Sequence, residues 1–137
     1  MSLDKIKETA RIVRSQCESY AASTGHDEYG KDLSCMCGIA SYALREAIKR
    51  IGIRIKLIYG FYGNSSGHCW LNIEDKIIDI TATQFGVSRK AFVTSISNAK
   101  YDRLKEMKSM SEIKIDGWGD HSPTRLKVYK ILGTCTE

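Results

Sequence analysis

The chain has 137 residues and a mass of 15.4 kDa, with 42% hydrophobic residues and one proline, which is enough apolar material for a single domain spanning residues 1–137. Its 21 Lys and Arg against 16 Asp and Glu give a net charge of +5 and a pI near 9.0, which favours acidic partners. The basic residues are spread along the sequence, so nucleic-acid binding is not expected. The stretch 57–73 lacks charge but is too polar to cross a membrane.

The first third of the chain predicts two helices. Apolar residues recur at steps of three and four from Leu3 to Ala21, which is typical of an amphipathic helix. Residues 22–33 are rich in turn formers and predict an exposed connection. A second helix is predicted from Ser34, as N-cap, to Ile51, with Gly52 in the left-handed position after the helix end.

The middle of the chain predicts strands. Apolar and polar residues alternate from Ile53 to Tyr59, which indicates a strand, and residues 62–67 predict a loop. Residues 68–80 read as two strands around a tight turn at Glu74 and Asp75. With the two helices before it, this pattern predicts an α+β fold with an antiparallel sheet.

The last third has weaker signals. Residues 91–97 predict a strand and residues 101–110 a short charged helix. Ser122 and Pro123 suit the start of a final helix ending at Gly133, although Leu126 and Val128 are equally compatible with a strand.

Cys37 is the candidate nucleophile. With Ser34 as N-cap it falls at the third helical position, where unpaired backbone N–H groups and the helix dipole stabilise a thiolate. The following Gly38 leaves space for a substrate carbonyl, and nearby N–H groups are candidate oxyanion donors. Cys35 lies in the same predicted turn and is the alternative nucleophile.

His68 and Asp79 are the candidate base and orienting acid. If the turn has an even number of residues, Trp70 faces Asp79, and His68 lies one diagonal step away on the same side of the sheet. The same register collects apolar residues on the opposite face, and these should hold it in place. The apolar set is Cys69, Leu71, Ile73, Ile78 and Ile80. Trp70 could shield the pair from water or form the floor of a substrate site, or it could be ordinary core packing.

The run CGIASYAL, followed by GHCWLNIEDKIIDITATQF, resembles the papain-like and transglutaminase-like superfamily, most closely its small bacterial, phage and effector members. The resemblance covers residues 34–86. It implies a Cys-bearing helix packed on an antiparallel sheet and a triad in which Cys37 is the nucleophile, His68 the general base and acid, and Asp79 the orienting acid. It also makes Gln84, in the TATQF segment, a candidate site-lining residue, although this side chain could equally bond the turn backbone.

The resemblance implies a thiol-dependent hydrolase of peptide or isopeptide bonds, or a deamidase or transglutaminase-type acyltransferase acting on protein glutamine. Either enzyme would act on a protein or peptide substrate without a cofactor, and an inactive binding module for an acidic partner is the remaining alternative. Five unevenly spaced cysteines and an N-terminus without a signal-peptide pattern favour reduced thiols in the cytoplasm, or in a host's cytoplasm for a phage or effector protein. Metal binding is not expected, because the Cys-x-Cys and His-Cys spacings lack the two-residue spacer typical of zinc sites.

Overall fold

The computed structural model describes residues 3–24, 33, 36–61, 67–98, 101, 105–110, 128, 131 and 132. In chain order its elements are α1 (Leu3–Thr24), α2 (Cys37–Arg50), β1 (Lys56–Phe61), β2 (Gly67–Ile73), β3 (Lys76–Asp79), a 3₁₀ helix (Ala82–Phe85), β4 (Phe92–Ser95) and β5 (Lys105–Met110). This is the α+β arrangement that the sequence predicts.

The first helix forms as its periodicity predicts, and it continues three residues beyond Ala21 to Thr24. Its apolar stripe is buried and packs against α2 in the main core. The buried stripe consists of Ile6, Ala10, Val13, Cys17 and Ala21.

The start of α2 differs from the prediction. Helix α2 begins at Cys37 with Met36 as N-cap, so the assignment of Ser34 as N-cap is wrong and Cys37 is the first helical residue instead of the third. The cause is a turn before the helix, in which the Met36 N–H donates to the Leu33 carbonyl at 3.0 Å, while Leu33 has a left-handed φ of 59°. At the other end, Gly52 has a φ of 83°, as predicted for the residue after the C-cap.

The described strands form one antiparallel sheet in the order β4-β3-β2-β1-β5. The two-residue turn at Glu74 and Asp75 is confirmed, and Ile73 pairs with Lys76 across it. Strand β1 begins at Lys56, three residues later than predicted. The hairpin register on which the candidate site depends is therefore the one that the sequence predicts.

The prediction of a helix at residues 101–110 is wrong for residues 105–110, which form β5 and pair antiparallel with β1. A short charged segment has little helix stability of its own, so pairing with the edge of β1 decides its structure. Strand β4 lies within the predicted range 91–97. Val128 and Ile131 are helical and buried in the core, in agreement with the helix alternative; the rest of 122–133, apart from Leu132, lies outside the described residues.

The helices cover one face of the sheet and build the main core there, which includes Cys69, Leu71, Ile73, Ile78 and Ile80. A smaller cluster on the other face consists of Ile58, Trp70 and Ile77, with Tyr101 packed against it. The predicted alternation of β2 and β3 is thereby confirmed. Neither α1 nor α2, the longer helices of the described residues, has the length and hydropathy that a membrane crossing requires.

Candidate active site

The β2-β3 hairpin brings His68 and Asp79 together. Leu71 pairs with Ile78, and the same register places Asp79 across from Trp70 and one diagonal step from His68. The Nε2 atom of His68 lies 2.6 Å from Oδ2 of Asp79, and the two side chains are 1% and 0% exposed. Because a carboxylate can only accept, Nε2 carries the proton and donates it to Asp79.

Asp79 accepts hydrogen bonds on both carboxylate oxygens. The Tyr101 hydroxyl donates to Oδ2 at 2.7 Å, so this oxygen is shared between Tyr101 and His68. The Thr81 backbone N–H donates to Oδ1 at 2.9 Å and the Thr81 hydroxyl at 3.3 Å. These bonds replace the water that a buried carboxylate loses, and they keep its position fixed.

Helix α2 brings Cys37 to the start of β2. Three neighbouring groups lower the pKa of the Cys37 thiol, namely the Cys69 thiol, the His68 ring and the Cys69 backbone N–H. His68 and Cys69 are consecutive in β2, so their side chains point to opposite faces of the sheet. One sulfur can reach both side chains only from the edge of β2. That edge is open because β3 pairs with β2 from Leu71 to Ile73 and ends at Asp79.

These contacts shift the acidity of Cys37. The hydrogen bond from the Cys69 thiol, the hydrogen bond and charge of His68, and the Cys69 N–H together lower the pKa of Cys37 to about 5, although burial acts in the opposite direction. A thiol is a weak donor, so we expect the imidazolium to be the more important cause. The first turn of α2 adds the positive end of the helix dipole.

His68 is shifted in the complementary direction. Burial disfavours its charged form, but the charge and hydrogen bond of Asp79, together with those of Cys37, raise its pKa to about 9. Between pH values of about 5 and 9 the site therefore holds a thiolate beside an imidazolium. This protonation state gives a reactive sulfur and a proton donor at neutral pH.

Ser41 fixes the helix against the strand. Its hydroxyl lies one turn beyond Cys37 and donates to the Cys69 backbone carbonyl at 3.2 Å, and Ser41 is 2% exposed. The bond restrains the distance between α2 and β2 at the point where the sulfur meets His68. Precise spacing of this kind is what a nucleophile and its base require.

Trp70 lies on the His68 side of the sheet, as the register predicts. Its ring stacks on His68 at a centroid distance of 6.0 Å and meets Tyr101 edge-on at 5.1 Å. The indole N–H donates to Asn72 at 3.0 Å, and Trp70 is only 4% exposed. Trp70 packs in the cluster with Ile58 and Ile77, in agreement with the core-packing alternative, while shielding of the ion pair and a floor for substrate stay predictions.

Gly38 and Gln84 are both partly exposed. The Gln84 side-chain nitrogen donates to the Thr81 carbonyl at 3.0 Å and lies 3.5 Å from Nδ1 of His68. The Gln84 side chain thus bonds the turn backbone and borders the imidazole, and its role as a site-lining residue stays a prediction.

Sequence reasoning missed three features of this site. Thr81 had a readable signal, because an Asp followed two residues later by Thr is typical of a turn in which the carboxylate accepts a backbone N–H. Tyr101 had none, since it follows Asp79 by 22 residues. Cys69 was expected to be core, which it is, but its contact with Cys37 was not foreseen.

The other predicted residues fall in different places. Cys17 is buried in α1, and burial raises its pKa to about 12. Cys35 lies outside the described residues, so its candidacy as nucleophile stays a prediction. Within the part of the chain that the structure describes, no three His, Cys, Asp or Glu side chains are grouped to hold a metal ion.

Comparisons with protein-family models, with curated proteins and with solved structures found no match for this chain.

Proposed function

We propose that this protein is a thiol-dependent hydrolase of peptide or isopeptide bonds, with a papain-like or transglutaminase-like core and a triad of Cys37, His68 and Asp79. One observation carries the proposal: a buried imidazole is bonded through Nε2 to a carboxylate and is in contact with a cysteine sulfur at a helix start. A structural ion pair would not need a partly exposed thiol as its third member. The order Cys, His, Asp is also that of the superfamily which the sequence resembles.

The mechanism follows from the protonation state. The Cys37 thiolate attacks the substrate carbonyl, and the resulting tetrahedral intermediate collapses to a thioester as the amine leaves with a proton from His68. Because Nε2 is held by Asp79, Nδ1 is the nitrogen that exchanges this proton. The neutral imidazole then takes a proton from water, hydroxide attacks the thioester, and Cys37 is released as thiolate.

Two groups of donors stand near the developing oxyanion. The first N–H groups of α2, those of Cys37 and Gly38, have no carbonyl partner within the helix. The Gln84 amide supplies a second candidate, because its nitrogen borders His68 and its position is set by Thr81. One such donor contributes about 10²–10³-fold to the rate in other acyl-transfer enzymes.

Access to the sulfur is one-sided. His68 and Asp79 are buried, whereas Cys37, Gly38 and Gln84 are partly exposed, so an acyl group reaches the sulfur from the α2 and 3₁₀-helix side. A protein or peptide chain lying across that opening is the substrate that we propose, in a reducing cytoplasm that keeps the thiol free.

Acyl-enzyme trapping tests the proposal. A small activated ester such as p-nitrophenyl acetate should acetylate the wild-type chain once, at Cys37, as shown by intact mass and peptide mapping. Cys37→Ala should abolish the adduct, and His68→Ala should slow its formation by about 10²–10⁴-fold, since the general base is lost. Cys17→Ala is the matched control, because this thiol is buried in α1 away from the triad.

An adduct that forms at Cys35, or that persists at full rate without Cys37, would contradict the assignment. Turnover of the trapped thioester by water, measured as loss of the acetyl mass, then separates a competent enzyme from a merely reactive thiol.

Acyl transfer to an amine, or deamidation of protein glutamine, uses the same thioester and remains the closest alternative. The products separate the two reactions. New chain termini identify a peptidase, whereas ammonia or a cross-linked amine identifies the second group.

The alternative of an inactive binding module is supported by a basic cleft. The cleft has a volume of about 440 Å³ and is lined by Arg11, Arg14, Arg89 and Lys90, with Glu18 as its acidic member. A module of this kind would bind an acidic partner in a salt-sensitive manner, and Cys37→Ala would leave that binding unchanged.

A further inference from the structure

A second thiol lies directly against the candidate nucleophile. Cys37 packs against the main core cluster to which Cys69 belongs, and the Cys69 thiol and backbone N–H both lower the pKa of Cys37. Ser41 independently ties Cys69 to α2, because its hydroxyl bonds the Cys69 carbonyl at 3.2 Å. Both cysteines are free thiols in the structure.

The two thiols differ in the ways that a peroxide-sensitive pair requires. Cys37 is partly exposed and its neighbours favour the thiolate, which is the form that reacts with peroxide. Cys69 is 2% exposed in the main core, which shelters it from direct oxidation, and its interaction with Cys37 together with burial raises its pKa, so that it stays protonated. The acyl-transfer chemistry described above gives Cys69 no reacting role.

We propose that Cys37 and Cys69 form a reversible disulfide when hydrogen peroxide oxidises the site. This inference rests on the thiolate that the proposed function also uses, but it needs no acyl substrate. It makes Cys69 a resolving cysteine and the disulfide a resting form of the site that reduction reactivates.

The chemistry balances in two steps. The Cys37 thiolate attacks one peroxide oxygen, the O–O bond breaks, and the departing hydroxide takes a proton from the His68 imidazolium to give water and a sulfenic acid. The Cys69 sulfur then displaces the sulfenic hydroxyl, which leaves as water with the Cys69 proton. Two thiols have lost two electrons in total, and one peroxide has been reduced to two waters.

The two cysteines lie where α2 meets β2. Cys37 is one helical turn before Ser41, whose hydroxyl bonds the Cys69 carbonyl at 3.2 Å, and a disulfide requires the two sulfurs to approach to about 2.0 Å. Cys37 is the first residue of α2, so its side chain can turn toward Cys69 without disturbing a helix interior.

The test treats the reduced full-length protein with hydrogen peroxide, quenches free thiols with an alkylating reagent and maps the peptides. We expect a Cys37–Cys69 linked peptide, an intact mass lower by two hydrogens, and full recovery of Cys37 alkylation after dithiothreitol. In Cys69→Ser, which keeps a hydroxyl donor but cannot form the link, Cys37 should gain two or three oxygens and fail to recover. Cys17→Ser, the matched control, should behave as the wild type.

A linked peptide that joins Cys37 to Cys35, or unchanged recovery in Cys69→Ser, would overturn the proposal. A Cys37 that never oxidises in the folded wild type would overturn it as well. Failure of the proposed function gives a different result. If the disulfide forms normally in a protein that accepts no acyl group, the enzyme assignment is contradicted and the disulfide proposal stands.

Discussion

His68 is a buried side chain with two partners that both favour its charged form. Desolvation of an imidazolium is costly, and the ring is 1% exposed, so an isolated histidine at this place would be neutral. Asp79 on one side and the Cys37 thiolate on the other reverse that preference. The three side chains thus form a chain of alternating charges, in which removal of any one member changes the protonation of the next.

The pH dependence of Cys37 follows from this chain. The pKa of Cys37 is lowered to about 5, so its alkylation rate with iodoacetamide should rise through that pH and then level off. The pKa of His68 is raised to about 9, so acyl-transfer activity should fall above that pH, where the proton donor is lost. His68→Ala should move the alkylation midpoint of Cys37 upward, because the cation and the hydrogen bond disappear together.

Peptide mapping at each pH assigns the rate to Cys37. Cys17 provides an internal reference, since burial raises its pKa to about 12 and it should stay unmodified over the same range. An ordinary thiol midpoint at Cys37 would contradict the ion pair.

For individual residues, the sequence predicts side-chain contacts that strand register determines. It does not predict side-chain contacts that depend on packing between distant segments. The contact of His68 with Asp79 follows from a two-residue turn and the alternation of side chains. Tyr101 reaches the same carboxylate from beyond β4, and no local pattern connects the two positions.

The β2-β3 hairpin is the element on which the candidate site depends, and its turn contains a strained residue. Glu74 has a φ of 51°, in the left-handed region that side chains with a Cβ avoid. Insertion or deletion of one residue in this turn would shift the strand register and move His68 and Asp79 to opposite faces of the sheet. The turn therefore fixes the register despite a residue that is poorly suited to it.

Replacement of Glu74 by Gly should stabilise the protein by up to about 1 kcal/mol, because relief of the left-handed strain exceeds the entropy that glycine loses on folding. Urea unfolding measures the difference. Asp75→Gly is the matched control; its φ is not positive, so this change should destabilise the fold by about 0.5–1 kcal/mol. Equal effects of the two variants would exclude backbone strain as the cause.

The elements also show why local patterns fail in part of the chain. Helix α2 starts at Cys37 because a turn closed by the Leu33 carbonyl precedes it, and Ser34 as a cap residue carries no information about that turn. Strand β5 exists because the edge of β1 is available for pairing. The β5 outcome depends on a distant chain segment that a local sequence window does not contain, whereas the α2 outcome depends on a local turn for which the residue types give no signal.

At the scale of the whole molecule, Arg14 connects α1 to the chain that follows Asp79. It is 2% exposed, and its guanidinium donates to the Ile80 carbonyl at 2.7 Å and to the Thr83 hydroxyl at 2.9 Å. Glu18, one turn along the same helix, balances the charge at 3.3 Å. The position of the segment carrying Thr81 and Gln84 thus depends on a helix far from it in sequence.

Arg14→Met should destabilise the fold by roughly 2–4 kcal/mol, because a buried carbonyl and a hydroxyl lose charge-assisted bonds. Arg11→Met on the same helix is the matched control, since Arg11 is exposed and its replacement should change stability by less than about 0.5 kcal/mol. Chemical unfolding of both variants, followed by tryptophan fluorescence, measures the effect. Equal losses would show that Arg14 does not hold the two parts together.

Asp79 is the last residue of β3, and its carboxylate accepts the Thr81 N–H on one oxygen while it holds the His68 ring with the other. By accepting from the amide two residues ahead, it turns the backbone away from the strand direction, and the 3₁₀ helix begins at Ala82. A single side chain therefore governs both the charge state of the imidazole and the point at which β3 ends. An asparagine there would keep the diversion and lose the charge, whereas an alanine would forfeit both.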